Sequence, residues 1–280
     1  MNHLETFLSW STLFFEALLC ACIFARNAYK ILPLFSIYAY AVLTSTVCVW
    51  LTYAHFGFTS PTSYRVFWDS AYLHAVLRSL AIAEVCRYGL RNYSGIWALV
   101  WRVLVILTLA FIVHAAIDAK GQPNGIAIFG ASLLRDFAFA SIAVLAVLLL
   151  IRNYYGLALD SLQRLIAAGM CFTCAVDVIG YTIFRNILAG DLYSLFLSSQ
   201  KALWPALQPK MLRLDEIWST FHLLAFMLAM GIWCYALRKP LPEPSASKVL
   251  LPAEVYREMS PAINVRLAAF NDRLTELLKP

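Results

Sequence analysis

The stretch ILPLFSIYAYAVLTSTVCVWLTYAHFGFTSPTSY, from Ile31 to Tyr64, contains no Lys, Arg, Asp or Glu. A hydrocarbon layer about 30 Å thick needs about 20 mostly apolar residues to cross it. An uncharged run that long reads as a membrane-spanning helix with its flanks. Working outward, six further segments have the same character. The spans expected are 6–25, 31–55, 66–88, 95–117, 126–151, 164–187 and 217–237. Ile217 to Ala236 is again free of charge, whereas 66–88 is interrupted by Asp69, Arg78, Glu84 and Arg87. The fold class expected is therefore an all-α membrane protein with seven transmembrane helices.

Composition agrees with that reading. Of the 280 residues 61% are apolar and 14% charged, and the mean hydropathy is +0.71. Soluble domains are about half apolar and about a quarter charged. A chain this poor in charge cannot cover a water-soluble surface, and a disordered or disulfide-stapled chain would need more polarity or paired cysteines. All seven cysteines, Cys20 to Cys234, fall within or beside the spans. Cys171 and Cys174 have CxxC spacing, but on a membrane helix with no second pair they read as small packing residues. The first apolar stretch reads as a retained helix, because Met1 to Thr6 carries Glu5 and no basic residue, unlike the start of a secretory signal.

Orientation follows from the bias of Lys and Arg toward cytoplasmic loops. With the N-terminus outside, the inner turns hold Arg26, Lys30, Arg87, Arg91, Arg152, Arg164, Arg238 and Lys239. The short outer turns hold Arg65 and Lys120, and the long outer segment 185–216 adds Arg185, Lys201, Lys210 and Arg213. The expectation is N-terminus outside and C-terminus cytoplasmic, in a membrane of bacterial inner or plasma membrane type. Arg26-Asn27-Ala28-Tyr29, Arg91-Asn92-Tyr93 and Arg152-Asn153-Tyr154 share a wording. Arg as topology signal and Tyr as interfacial anchor explain that recurrence more simply than a hairpin repeat.

The domain plan is a bundle over 1–239, a Pro-rich linker over 240–260 and a cytoplasmic amphipathic helix over 261–279. Within the bundle, 185–216 reads as an interfacial helix or lid, or as a loop lying on lipid. Leu192, Leu195, Phe196 and Leu203 recur at helical spacing there before Trp204-Pro205 breaks the chain. In the tail, Ser260-Pro261 supplies an N-cap and a first helical position. Ile263, Leu267, Phe270, Leu274 and Leu277 form a short apolar seam, suited to docking on the inner leaflet, the bundle or a protein partner. The partners expected are the lipid bilayer and a protein docked through 261–279. The tail balances five basic against five acidic residues, so no nucleic-acid role is expected.

Ionisable groups inside a bilayer are costly and mark function by default. At a rise of about 1.5 Å per residue they sort into two layers. Near the midplane lie Glu16, Arg78, Arg135, Asp136 and Asp177. Two cations and three acids leave one acid in excess, which would carry a proton. This network reads either as a set of ion pairs fixing helix register or as a proton or ion relay. The second layer is histidine: His3, His55, His74, His114 and His222 all fall on the outer side. Asp118 shares a helical face with His114, and Ser219 with His222; Asp69 and Glu216 lie near the same level.

His74, His114, His222, Asp118 and Ser219 are therefore the candidate ligand or cofactor site. Three chemistries fit: a polar pocket for a small molecule, a b-type haem between two imidazoles, or a metal ion held by His and carboxylate. A fourth reading has each histidine topping its own helix and bonding to headgroups. No lysine lies within a span, so a retinal Schiff base is excluded. Ser70 and His74 have the SxxxH spacing of ceramidase-type membrane hydrolases, but the HxxxH that those enzymes carry in the last helix is missing, since Phe226 follows His222 by four. There is no HExxH, GxSxG, P-loop or dinucleotide fingerprint. The function expected is a receptor-like or accessory binding protein with an outward-facing polar pocket and a docking tail, non-enzymatic in its leaning. The alternatives are a haem- or metal-binding redox protein and a transporter coupled to protons or ions. Transport is disfavoured because no proline breaks a span.

Overall fold

The computed structural model describes residues 3–57, 60–90, 94–121, 125–155, 161–189 and 204–238, with 269, 272–273 and 276–277 in the tail. Those residues are all-helical. The long helices are α1 (His3–Ala25), α2 (Pro33–Phe56), α3 (Pro61–Gly89), α4 (Ser94–Ala119), α5 (Gly125–Tyr155), α6 (Ser161–Ala189) and α7 (Trp204–Arg238). All but α3 are long and apolar enough to cross a membrane. Each contains one expected span, except that α2 begins two residues after the start of 31–55.

The helix boundaries follow from local chemistry. Pro33 and Pro61 open α2 and α3 at positions whose N–H would have no partner anyway. Ser60 caps α3 by accepting from the N–H of Ser63 at 3.1 Å. Gly57, at φ 79°, ends α2 in a conformation that a side chain would strain. Glu84 on α3 reaches the first turn of α2, where Leu34 N and Phe35 N donate to its two carboxylate oxygens at 3.1 and 2.9 Å. A carboxylate at a helix N-terminus satisfies orphan donors and meets the positive end of the dipole. One of the charges that interrupts α3 is thus a cap for its neighbour.

Packing runs α1–α2–α3–α5–α6–α7 and back to α1, a closed ring, with α3 also touching α6 across it. Helix α4 packs against α5 on the outside of this ring. Little of its apolar stretch Trp97–Ala119 is buried, whereas about half of Ser161–Ile183 in α6 is. The core of the ring centres on Trp233, which is fully buried and stands edge-on to Phe35 and Tyr38 with centroids 5.5 and 6.1 Å apart. Its Nε1 donates to Ile166 O at 3.1 Å. Helices in lipid approach closely through small residues. Gly169 faces the Trp233 indole and Gly180 faces Trp218, each so closely that a Cβ there would collide with the ring.

Two expectations change at this level. Trp204-Pro205 does not break the chain but begins α7, which then runs unbroken to Arg238; Pro205 sits in the first turn, where its missing N–H costs nothing. Of the segment 185–216, residues 185–189 therefore belong to α6 and 204–216 to α7. Its middle, with Leu192, Leu195, Phe196 and Leu203, lies outside the described residues. The Arg-Asn-Tyr wording covers different structure in the two places that can be compared, and 91–93 lie outside the described residues. Arg26 to Tyr29 form a turn in which Asn27 is left-handed at φ 54°, whereas 152–154 are the helical end of α5. The linker 240–260 is outside the described residues; in 261–279, Ala269, Asp272, Arg273, Glu276 and Leu277 are helical and exposed.

Candidate functional site

Hydrogen bonds and ion pairs divide the polar residues of the spans into two groups that each join midplane charges to histidines. The first lies in the ring. Arg78 of α3 donates to Asp177 of α6 in a buried ion pair, each side chain 9% exposed. The other oxygen of Asp177 lies 3.7 Å from Nδ1 of His222 on α7. One turn before Arg78 on α3, His74 turns its Nε2 to Ser45 Oγ of α2 at 2.5 Å. Four helices thus converge on one polar centre. Asp177 joins two of them through Arg78, while His222 Nδ1 stays buried without a hydrogen-bond partner among the described residues although its side chain is 42% exposed.

Aromatic rings frame this centre. His222 lies between Trp218 and Phe226 on its own helix, 5.7 Å from the first and stacked on the second at 6.4 Å. Gly180 makes the space for Trp218, so α6 supplies both the carboxylate and the recess that positions the neighbouring ring. Tyr38 of α2, buried, and Tyr181 of α6, half-buried, lie close enough to feel the charges of both Arg78 and Asp177. Ser219 is half-buried one turn before His222.

The second group lies between α4 and α5. His114 Nδ1 is 2.6 Å from Asp136 Oδ2, and Arg135 Nη2 donates to Asp136 Oδ1 at 2.9 Å. One turn after His114 on α4, Asp118 accepts a hydrogen bond from Ser132 of α5. The side chain of His114 is 54% exposed. His55, at the end of α2, is also exposed, as is Asp69 on α3; the side chains of His3 and Glu216 lie outside the described residues.

The five candidate site residues therefore separate. His74 and His222 belong to the ring centre, with Ser219 beside His222, while His114 and Asp118 fasten the outer helix α4. The five midplane charges separate as well: Arg78 pairs with Asp177, and Arg135 with Asp136. Glu16 of α1 accepts from Thr46 Oγ1 at 3.2 Å, and its other oxygen has no hydrogen-bond partner among the described residues. Sequence reasoning missed Ser45, Thr46, Tyr38 and the capping role of Glu84. The only signal for them was their position on spans, since Ser, Thr and Tyr on membrane helices usually bond within their own helix or pack.

As for metal or haem, no three His, Cys, Asp or Glu side chains converge as metal ligands would among the described residues. The two ring histidines are engaged from different sides, His74 by α2 and His222 by α6. The cysteines are free thiols, with Cys174 fully buried and Cys171 half-buried. Compared with known proteins, the chain matches no family model, no curated protein and no solved structure.

Proposed function

We propose that the chain is a receptor-like membrane protein with seven spans, its N-terminus outside, which binds a small polar molecule at His74, His222 and Ser219. The seventh span is α3, whose length of 29 residues suffices for a crossing. Its charges have places to go: Arg78 turns to Asp177, Glu84 caps α2, and Arg65 and Asp69 lie toward its first turns. Buried or terminal, such charges are compatible with a membrane helix. The observation that carries the reading is the half-exposed His222, whose Nδ1 has no hydrogen-bond partner among the described residues and lies 3.7 Å from the carboxylate that pairs with Arg78.

The unpartnered Nδ1 of His222 is free to bond to a small molecule beside Asp177. A ligand there changes the surroundings of the Arg78–Asp177 pair and so biases the helices it joins, which is how a binding event becomes a change of conformational population. The exposed helical residues of 261–279 would present the result to a protein on the cytoplasmic side. A membrane-spanning bundle implies the bilayer itself as constant partner.

The test is a thermal-unfolding screen of the purified protein in lipid nanodiscs against a library of small polar metabolites. A ligand at about 100 times its Kd stabilises by about 2.7 kcal/mol. The stabilisation should vanish in His222→Phe and His74→Leu and persist in His114→Gln. Equal stabilisation of all three variants would reject the site. A Soret band or stoichiometric metal in the purified protein would replace this reading with the redox one. Labelling of cysteines introduced beside residues 3 and 239, with a reagent that cannot cross the membrane, checks the span count and orientation.

A further inference from the structure

Where α1 hands over to α2, a groove of about 390 Å3 opens on the surface of the bundle, lined by Phe24, Tyr29, Pro33, Ser36, Ile37 and Tyr40. The short link between the two helices builds it. Asn27, left-handed at φ 54°, turns the chain out of α1, and the 3-10 turn Ala28–Lys30 leads on to α2. Ala28 and Leu32 are fully buried and pin the link to the core of the ring. Phe24 and Tyr29 stack across the turn with centroids 6.5 Å apart.

Every hydroxyl proton in the lining is spent within the protein. Tyr29 Oη donates to Asn27 Oδ1 at 3.0 Å, Tyr40 Oη to Cys20 O at 3.4 Å and Ser36 Oγ to Leu32 O at 2.8 Å. Pro33 has no N–H to give. The groove therefore presents aromatic and aliphatic surface with no side-chain donor left over, which fits a hydrocarbon chain and not a polar solute.

The rim is cationic. Lys30 Nζ lies 5.9 Å from the centre of the Tyr29 ring. The side chain is exposed and pairs with no carboxylate among the described residues. An ammonium over a ring face still has N–H donors to give. Arg26, in the same link, donates to Arg238 O at 3.4 Å and adds positive charge at this end of the bundle. Glu84, beside the first turn of α2, has its two oxygens taken by the amides of Leu34 and Phe35. An apolar groove with an unpaired cation at its rim matches a molecule that is hydrocarbon at one end and anionic at the other. In a bilayer that molecule is an anionic phospholipid; a zwitterionic one would bring its own cation to the same place.

We infer that this groove is a binding site for an anionic phospholipid, one acyl chain lying over Phe24, Tyr29, Ile37 and Tyr40 and the phosphate bonded to Lys30. The site holds whichever way the bundle faces and needs no ligand at His222, so it stands apart from the proposed binding function.

Native mass spectrometry of the full chain, released from nanodiscs of phosphatidylglycerol and phosphatidylcholine in equal parts, tests it. Phosphatidylglycerol should stay bound in preference to phosphatidylcholine. Lys30→Gln should weaken that retention about fivefold, the contribution of one cation near a membrane surface. Ile37→Trp keeps the charge, fills the groove and should abolish the retention. Lys120→Gln removes an exposed cation outside the groove and should change nothing. All three side chains are exposed, so none of these changes touches the core. Equal retention of the two lipids would overturn the proposal. So would full retention in Ile37→Trp, or a loss in Lys120→Gln as large as that in Lys30→Gln. Glycerol phosphate, added to nanodiscs of phosphatidylcholine alone, should not bind. Binding of it as strong as that of the lipid would make this a site for a free phosphate and overturn the lipid assignment.

Discussion

The ring centre and the α4–α5 cluster are built from the same residue types yet differ in what surrounds them. Arg78, Asp177, His74 and His222 meet inside a closed ring, where each side chain of the ion pair is 9% exposed. Arg135, Asp136 and His114 meet against an outer helix, where His114 is 54% exposed and Asp136 only 13%. Around the Arg78–Asp177 pair little surface is open, so nothing readily replaces a lost partner. On the outer helix the imidazole is open on one side, and the carboxylate keeps a second cation from its own helix. Identical chemistry is therefore indispensable in one place and marginal in the other. Environment, not residue identity, sets the energy of an ion pair.

The largest test of that contrast is Asp177→Ala. It strands Arg78 without a counter-charge in the ring and should cost about 3–5 kcal/mol in unfolding free energy, read by reversible denaturation in mixed micelles. Converting both partners, Arg78→Met with Asp177→Leu, should recover most of that loss. If the double variant is as unstable as the single, the damage is steric and the electrostatic account fails.

Gly180→Val comes next. The new side chain would strike the Trp218 ring, and overpacking of this kind costs about 1–3 kcal/mol. Because Trp218 lies against His222, the same substitution should disturb the ring centre and leave the α4–α5 cluster alone. Nuclear magnetic resonance of labelled histidine would show the His222 signals moving and those of His114 unchanged. Movement of both would mean that the two groups are mechanically one.

The smallest effect belongs to His114→Gln. A half-exposed pair whose carboxylate retains Arg135 should lose less than about 1 kcal/mol. A double-mutant cycle over His114 and Asp136 should give a coupling several times smaller than one over Arg78 and Asp177. Equal couplings would erase the distinction between the two regions.

The helices were legible because their signal is local. A run such as Ile31 to Tyr64 declares itself by length and lack of charge, and six of the seven segments read as spans lie within a helix, while 31–55 overlaps α2 except at its first two residues. Helix ends were less legible. The start of α7 at Trp204 was read as a break because proline carries the same meaning in a first turn as after a last one. The polar residues were only half legible. Counting along each helix estimated how deep a charge lies, but depth does not say which way a side chain points or which helix stands beside it. His114 and His222 were placed on the same side by counting and belong to different groups, because α4 packs outside the ring and α7 within it. Glu84 looked like a flaw in α3 when its partners, the first amides of α2, are backbone groups that no residue letter reveals.

Composition and spacing alone determined that this chain is helical and apolar enough for a bilayer, that the ionisable residues within its spans are few, and that one acid among the midplane set would lack a cation. Those properties are sums along the chain, and a sum needs no neighbours. Which acid that is, and which histidines share a carboxylate, was decided by the order of helices around the ring. Pairing depends on contacts between segments far apart in sequence, and only their packing brings Arg78 to Asp177 and leaves Glu16 with Thr46.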